Sequence, residues 1–287
     1  MKEQKYILNN VKSFEPKHIF ECGQCFRWNK QEDESYIGVF GENVLKVYKE
    51  DENIIFEGIC NDKIDKICEE YFDLKTDYEK IKEKLASVDE HLATSIKYGN
   101  GIRILNQDLW ETIISFIISA NNNIPRIKGI IERICKKYGN EIEWRKNKYY
   151  TFPSIENLSK ATVQDLRDLG LGFRDKRVYD TTRMFLNKEI TIEELQEERD
   201  LNKLKEKLLS LPGVGPKVAD CIMLFALKKY EVFPIDVWVR RVMNDLYIHN
   251  KDEEKVSKIE LQKLAKEKYS NLAGLAQQYL FYWKREA

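Results

Sequence analysis

An amine at Lys217 and a carboxylate at Asp236, nineteen positions apart, are the residues of this sequence best suited to chemistry. Lys217 stands in Leu208-Leu-Ser-Leu-Pro-Gly-Val-Gly-Pro-Lys217-Val-Ala-Asp-Cys221. An apolar-periodic helix (Leu201, Leu204, Leu208) ends at Leu211-Pro212. A turn with two glycines follows, and Pro216 opens a second helix where its missing N–H costs nothing. Gly213, Val214 and Gly215 read as a helix-hairpin-helix turn, whose backbone N–H groups suit a phosphate and grip a DNA strand without reading bases. Lys217 lies in the first turn of the second helix, where the macrodipole disfavours an ammonium. Partial burial would lower its pKa further and make it a nucleophile able to form Schiff bases. A second phosphate-binding cation is the other reading of the same residue. Asp236, in Phe233-Pro-Ile-Asp-Val237, follows a proline break and opens another helix. It can cap that helix; it can also stabilise positive charge on a deoxyribose ring or help the lysine lose its proton.

These groups need elements to hold them. Tyr36–Phe40, Val44–Tyr48 and Ile54–Phe56 are short β-branched and aromatic runs separated by Gly41-Glu-Asn and Glu50-Asp-Glu-Asn, the pattern of an antiparallel meander. From about Asp62 the period turns helical. Ile113, Ile114, Ile117 and Ile118 mark one apolar face, and Ile127, Ile130, Ile131 and Ile134 another. Further helices are expected near 163–169, 174–187, 201–210, 216–229, 236–248, 254–269 and 272–284. The predicted fold class is α+β: residues 1–100 as a small antiparallel β domain with trailing helices, and residues 101–287 as a helical body containing the hairpin.

The chain has 287 residues, a length that suits two domains, and its 43% hydrophobic and 33% charged composition excludes a disordered or collagenous chain. Net charge is zero, which taken alone argues against a nucleic-acid partner. Its distribution differs: residues 1–100 hold 15 basic and 21 acidic side chains, the remainder 33 and 27. That suggests an acidic half and a basic working half. No apolar run approaches a membrane span, and Met1-Lys2-Glu3-Gln4 leads into no signal-peptide core, so a cytoplasmic protein is expected. Six cysteines are too sparse for a disulfide framework, and Cys22-x-x-Cys25 lacks the partners of a zinc site; two ordinary reduced thiols are expected.

LPGVGPK followed by PIDV resembles the helix-hairpin-helix DNA glycosylase superfamily. Four other segments resemble its 8-oxoguanine DNA glycosylase/lyase family, of the type found in eukaryotes and some bacteria: Cys22-Gly-Gln-Cys-Phe-Arg-Trp28, Ser119-Ala-Asn-Asn-Asn-Ile-Pro-Arg126, Leu169-Gly-Leu-Gly-Phe-Arg174 and Ala276-Gln-Gln-Tyr-Leu-Phe281. They run from residue 22 to 281 in the family's order.

The resemblance implies a base-excision repair enzyme that flips 8-oxoguanine out of duplex DNA, releases it and cleaves the abasic strand through a lysine Schiff base. Lys217 and Asp236 would be catalytic. Gly23 would offer its carbonyl to the N7 hydrogen that oxidised guanine has and guanine lacks. Phe281 would stack on the base, Gln277 would bond its Watson–Crick edge, Cys221 would face its opposite side, and Phe225, replacing a methionine, would keep the wall apolar. Read alone, Phe281 is equally a core residue and Gln277 a surface one. Asn121 would fill the gap left by the base, Arg126 and Arg174 would contact the orphaned cytosine, and Phe173 would act as a wedge in place of a tyrosine.

Trp238 and Lys284 depart from the family's histidine and acidic partner, so no role carries over to them. No cysteine follows Cys221, so an iron–sulfur loop is not expected, nor any metal or cofactor. The expected partner is double-stranded DNA containing 8-oxoguanine, bound by a monomer at the nucleoid. The rival readings are the same chemistry on another oxidised base and a non-catalytic DNA-binding module.

Overall fold

The computed structural model describes residues 2–286. Five antiparallel strands open the chain: β1 (Lys2–Leu8), β2 (Trp28–Lys30), β3 (Tyr36–Phe40), β4 (Asn43–Glu50) and β5 (Asn53–Cys60), in the order β1-β5-β4-β3-β2. The period-2 runs of β3–β5 turn Tyr36, Leu45, Val47, Ile54 and Phe56 onto one face. There they bury against Phe14, Ile19, Phe20 and the helix Ile64–Tyr71, making a small aromatic core. Trp28 lies stacked on Phe20 at 4.0 Å, and its Nε1 donates to the Tyr71 hydroxyl at 3.0 Å.

Among the described residues the rest is helical, except for one two-stranded hairpin, β6 (Glu141–Trp144) and β7 (Asn147–Tyr150), where the pattern reading has none. Arg145 and Lys146 form its tip at φ 49° and 64°. That conformation ordinarily selects Asn or Gly, so the sequence carries no turn signal there. Two strands of the sheet, β1 and the three-residue β2, were likewise not anticipated. The helices Tyr78–Ala86 and Glu90–Tyr98 place Tyr78, Leu85, Leu92 and Ile96 in the same buried cluster as Ile113 and Leu280, so the helical core begins before residue 100. At its centre runs the helix Leu109–Ser119, the most apolar of the chain, packed between the helix Ile124–Tyr138 and the hairpin helix Pro216–Phe225. Among the described residues no helix is long and apolar enough to cross a membrane.

Candidate active site

The hairpin takes the expected form. The helix Leu201–Leu209 ends at Ser210, and Pro216–Phe225 begins after the turn. Gly213 sits at φ 90°, and a Cβ there would lie 2.9 Å from Arg177 Cδ and 3.1 Å from Ile117 Cγ2, so both conformation and space call for glycine. Val214 is buried and its N–H donates to Leu211 O at 3.0 Å, so this residue anchors the turn and does not offer its own N–H to a ligand. Gly215 is exposed, caps the second helix without a side-chain partner, and leaves that N-terminus suited to an anion.

The hairpin presents Lys217 to a cavity of about 360 Å³ between the helical body and the loop after the short helix Pro16–Glu21. Lys217, Asp236, Gly23, Cys221, Phe225, Gln277 and Phe281 all line it. Its apolar part is aromatic: Phe225 stacks on Phe116 at 5.5 Å, Phe26 meets Phe116 edge-on at 5.4 Å, and the Lys217 ammonium lies 5.5 Å from the Phe116 ring centre. Asp236 caps the helix Val237–Met243, its Oδ1 accepting from Val239 N–H at 2.8 Å, and it faces the cavity as well. Cap and cavity residue are therefore the same carboxylate.

Sequence reasoning expected a lowered Lys217 pKa. The structure gives the opposite direction. Interaction with Cys221 raises the ammonium above its ordinary value against the desolvation of its site, and the Asp236 carboxylate adds to the rise. Burial in turn pushes the Cys221 thiol up to about 11, against the pull of Lys217. The ammonium is held in its protonated form, so the amine must lose a proton before it can act as a nucleophile.

Gly23, at φ 86°, follows the helix Pro16–Glu21, and a Cβ there would touch Phe281 Cε1 and Arg285 Nη1 at 3.6 Å. Its loop is held by a residue that the motif reading passed over. Buried Gln24 donates to Ile19 O (2.9 Å) and Arg103 O (2.7 Å) and accepts from Leu105 N–H (2.9 Å). Arg285 adds a bond to Glu21 O and stands over the Phe281 ring at 5.3 Å. Gln277 is buried rather than a surface residue. Trp238, 48% exposed, lines the cavity beside Asp236, while Lys284 pairs with Asp245 at 2.7 Å. All six cysteines are free and buried.

The residues expected around the opposite base divide. Asn121 is exposed at φ 51°, a conformation asparagine tolerates, and Arg126 is exposed with one bond to Gly170 O at 3.3 Å. Phe173 is 55% exposed, its ring flanked by Arg174 at 4.1 Å and Arg177 at 5.1 Å. Arg174 itself is 1% exposed and makes four bonds to carbonyls: Nε and Nη2 to Ala120 O, Nη2 to Asn121 O and Nη1 to Leu171 O, between 2.6 and 3.2 Å. It holds the Asn121 turn from beneath, and one of its five N–H groups remains unassigned.

This geometry has relatives. Residues 6–113 match the 8-oxoguanine DNA glycosylase N-terminal domain, and residues 114–270 match the HhH-GPD superfamily of base excision DNA repair proteins. The chain belongs to this superfamily, in its 8-oxoguanine glycosylase/lyase branch. The glycosylase fold is shared with the Clostridium acetobutylicum 8-oxoguanine glycosylase/lyase solved with double-stranded DNA containing cytosine opposite 8-oxoG. That chain is 43% identical, with a TM-score of 0.93 over 99% of this chain and 97% of the other. A probable N-glycosylase/DNA lyase of Methanothermobacter thermautotrophicus is 34% identical over 73% of this chain and 71% of its own length. The N-glycosylase/DNA lyase of Saccharomyces cerevisiae is 33% identical over 78% and 66%. The protein is accordingly a bifunctional DNA N-glycosylase and lyase.

Proposed function

We propose that this glycosylase removes 8-oxoguanine from duplex DNA, prefers cytosine opposite the lesion, and cleaves the abasic strand through a Schiff base on Lys217. One observation carries the reading: Lys217 and Asp236, from different helices, line one cavity with Gly23, Cys221, Gln277 and Phe281. The hairpin grips the strand at Gly215 and the helix N-terminus behind it. The base enters the cavity against Phe281, with the Gly23 carbonyl placed to accept from N7–H.

Lys217, deprotonated, attacks C1′ through Nζ. The N-glycosidic bond breaks with its electron pair leaving on the base, and Asp236 stabilises the positive charge that develops on the sugar. Nζ sheds one proton, the C1′–O4′ bond breaks with its electron pair going to O4′, which takes up a proton, and C1′ and Nζ are left joined as an iminium. Loss of a C2′ proton then expels the 3′ phosphate by β-elimination. Asp236 lies close enough to raise the ammonium, so the same carboxylate sits beside the proton that must leave. The duplex with 8-oxoG opposite cytosine bound by the C. acetobutylicum relative supports the choice of lesion and partner base.

Cytosine opposite the lesion offers N3 and O2 as acceptors, which suit guanidinium donors, whereas adenine places an amine beside its acceptor. Single-turnover release of 8-oxoguanine opposite each of the four bases tests the proposal. Release opposite cytosine at least roughly tenfold faster than opposite adenine is expected, the size of one well-made polar pair. Equal rates contradict the opposite-base reading, and no release from any duplex contradicts the lesion.

A further inference from the structure

Arg285 lines the cavity and has no assigned role in the chemistry there. It stands one turn after Phe281 on the helix Ala273–Glu286, its guanidinium 5.3 Å from the Phe281 ring centre. Two of its nitrogens are tied. Nε donates to Glu286 Oε1 at 3.0 Å, and Nη2 donates to Glu21 O, just before the Gly23 loop. Nη1 has no hydrogen-bond partner among the described residues and is not closed off from solvent, as the unmet nitrogens of Arg27 are. A Cβ on Gly23 would lie 3.6 Å from Arg285 Nη1. The Gly23 carbonyl, for its part, accepts no hydrogen bond among the described residues. An unpartnered acceptor and an unpartnered donor thus stand beside one another at the cavity, on a loop and a guanidinium that are bonded together.

We propose that Arg285 is a second reader of the lesion, its Nη1 donating to O8 of the flipped base while the Gly23 carbonyl accepts from N7–H. The inference rests on the functional reading above and extends it to the oxygen, the part of the lesion to which that reading gives no contact. Oxidation changes two neighbouring positions of guanine: N7 turns from acceptor to donor, and C8, bonded to it, exchanges a hydrogen for an acceptor. Gly23 O and Arg285 Nη1 are the complement of that pair. Undamaged guanine turns a lone pair at N7 towards the carbonyl and offers no oxygen to the guanidinium. A bond from a cationic donor is among the stronger ones, and this one grows during the reaction. When the N-glycosidic bond breaks, the electron pair left on N9 is delocalised through C8 onto O8, where the guanidinium meets it. An interaction that strengthens in the transition state speeds release as well as tightening binding. The bonds of Nε and Nη2 hold the guanidinium in place before the base arrives, so this stabilisation needs little reorganisation.

The experiment compares 8-oxoguanine with 8-thioguanine, which keeps N7–H and replaces O8 by sulfur, a weak acceptor, each opposite cytosine. Single-turnover release is measured for the wild type, Arg285→Met and Arg285→Lys. Duplex affinity is measured for the same side chains in a Lys217→Gln background, where neither base reacts. Arg285→Met should slow 8-oxoguanine release at least roughly tenfold, the size of one bond to a charged group, and 8-thioguanine release less than about threefold, with affinities shifting in the same order. The bulk and leaving ability of sulfur are common to every variant and cancel in the comparison. Arg285→Lys, which keeps a cationic donor, should retain part of the difference. An Arg285→Met effect equal on the two bases, as expected if Arg285 only braces the Gly23 loop or its own helix, overturns the proposal. So does an 8-oxoguanine rate that Arg285→Met leaves unchanged. A wild type that releases no 8-oxoguanine overturns the functional reading, and this one with it.

Discussion

The cavity around Lys217 and the outer face proposed to meet the opposite base join at the Ser119–Asn123 turn, yet their side chains are held in different ways. In the cavity, Gly23 is fixed by Gln24 and Arg285, Asp236 by its helix, and Gln277 by Gln278. Each comes to the reaction with its orientation set, which is what a site needs if electrostatic stabilisation is to cost no reorganisation. On the outer face Asn121, Arg126 and Phe173 are exposed, and Arg126 has a single bond to Gly170 O. Beneath them buried Arg174 holds the turn rigid. The cavity side chains are held in place, whereas Asn121, Arg126 and Phe173, the proposed readers of the opposite strand, are exposed on a turn fixed from beneath.

Substitutions test this division in order of size. Asp236→Asn keeps the helix cap, because Asn caps about as well as Asp, but removes the charge beside Lys217 and C1′. Base release should fall by roughly 10²-fold or more at unchanged stability. A single-turnover rate within about twofold of the wild type would reduce Asp236 to a structural cap.

Arg174→Met removes four bonds from a buried guanidinium to the carbonyls of Ala120, Asn121 and Leu171 and should cost about 1–3 kcal/mol of stability in urea unfolding. Stability within about 0.5 kcal/mol of the wild type would show that the Arg174 bonds do not hold the turn and would erase the platform. Arg126→Met should do the reverse, leaving stability within about 0.5 kcal/mol and taking away most of a roughly tenfold cytosine-over-adenine preference. If it instead weakened binding to every duplex and flattened the salt dependence with the preference intact, Arg126 would be a phosphate contact.

The same contrast explains what was legible in the sequence. Strands β3–β5 are β-branched and aromatic runs set off by turn residues, a pattern the sequence displays. The edge strand β1, Lys2–Leu8, is mostly polar and exposed, and the tip of the β6–β7 hairpin is Arg-Lys rather than Asn-Gly, so neither carried its usual signal. The π-helical and 3₁₀ segment Arg167–Arg174 bends the chain so that Phe173 points out and Arg174 in, which position in a motif does not reveal. At the site, Lys217, Asp236 and Gly23 stood out because their types and turns are unusual. Gln24, Phe26 and Phe116 did not, because their importance comes from partners far away in sequence, such as Arg103 and Leu105 for Gln24. The expected drop in the Lys217 pKa failed on a local cause: Cys221, four residues on, and Asp236 raise the ammonium against its desolvation.

The most direct test of the account is borohydride trapping of the wild type and Lys217→Gln on an 8-oxoguanine·cytosine duplex, with binding measured in parallel. The wild type should form a covalent protein–DNA adduct and release the base. Lys217→Gln should do neither while binding the duplex about as tightly, because a single amine serves both as nucleophile and as the imine nitrogen. An adduct of undiminished yield in Lys217→Gln would show that the nucleophile lies elsewhere and contradict the account.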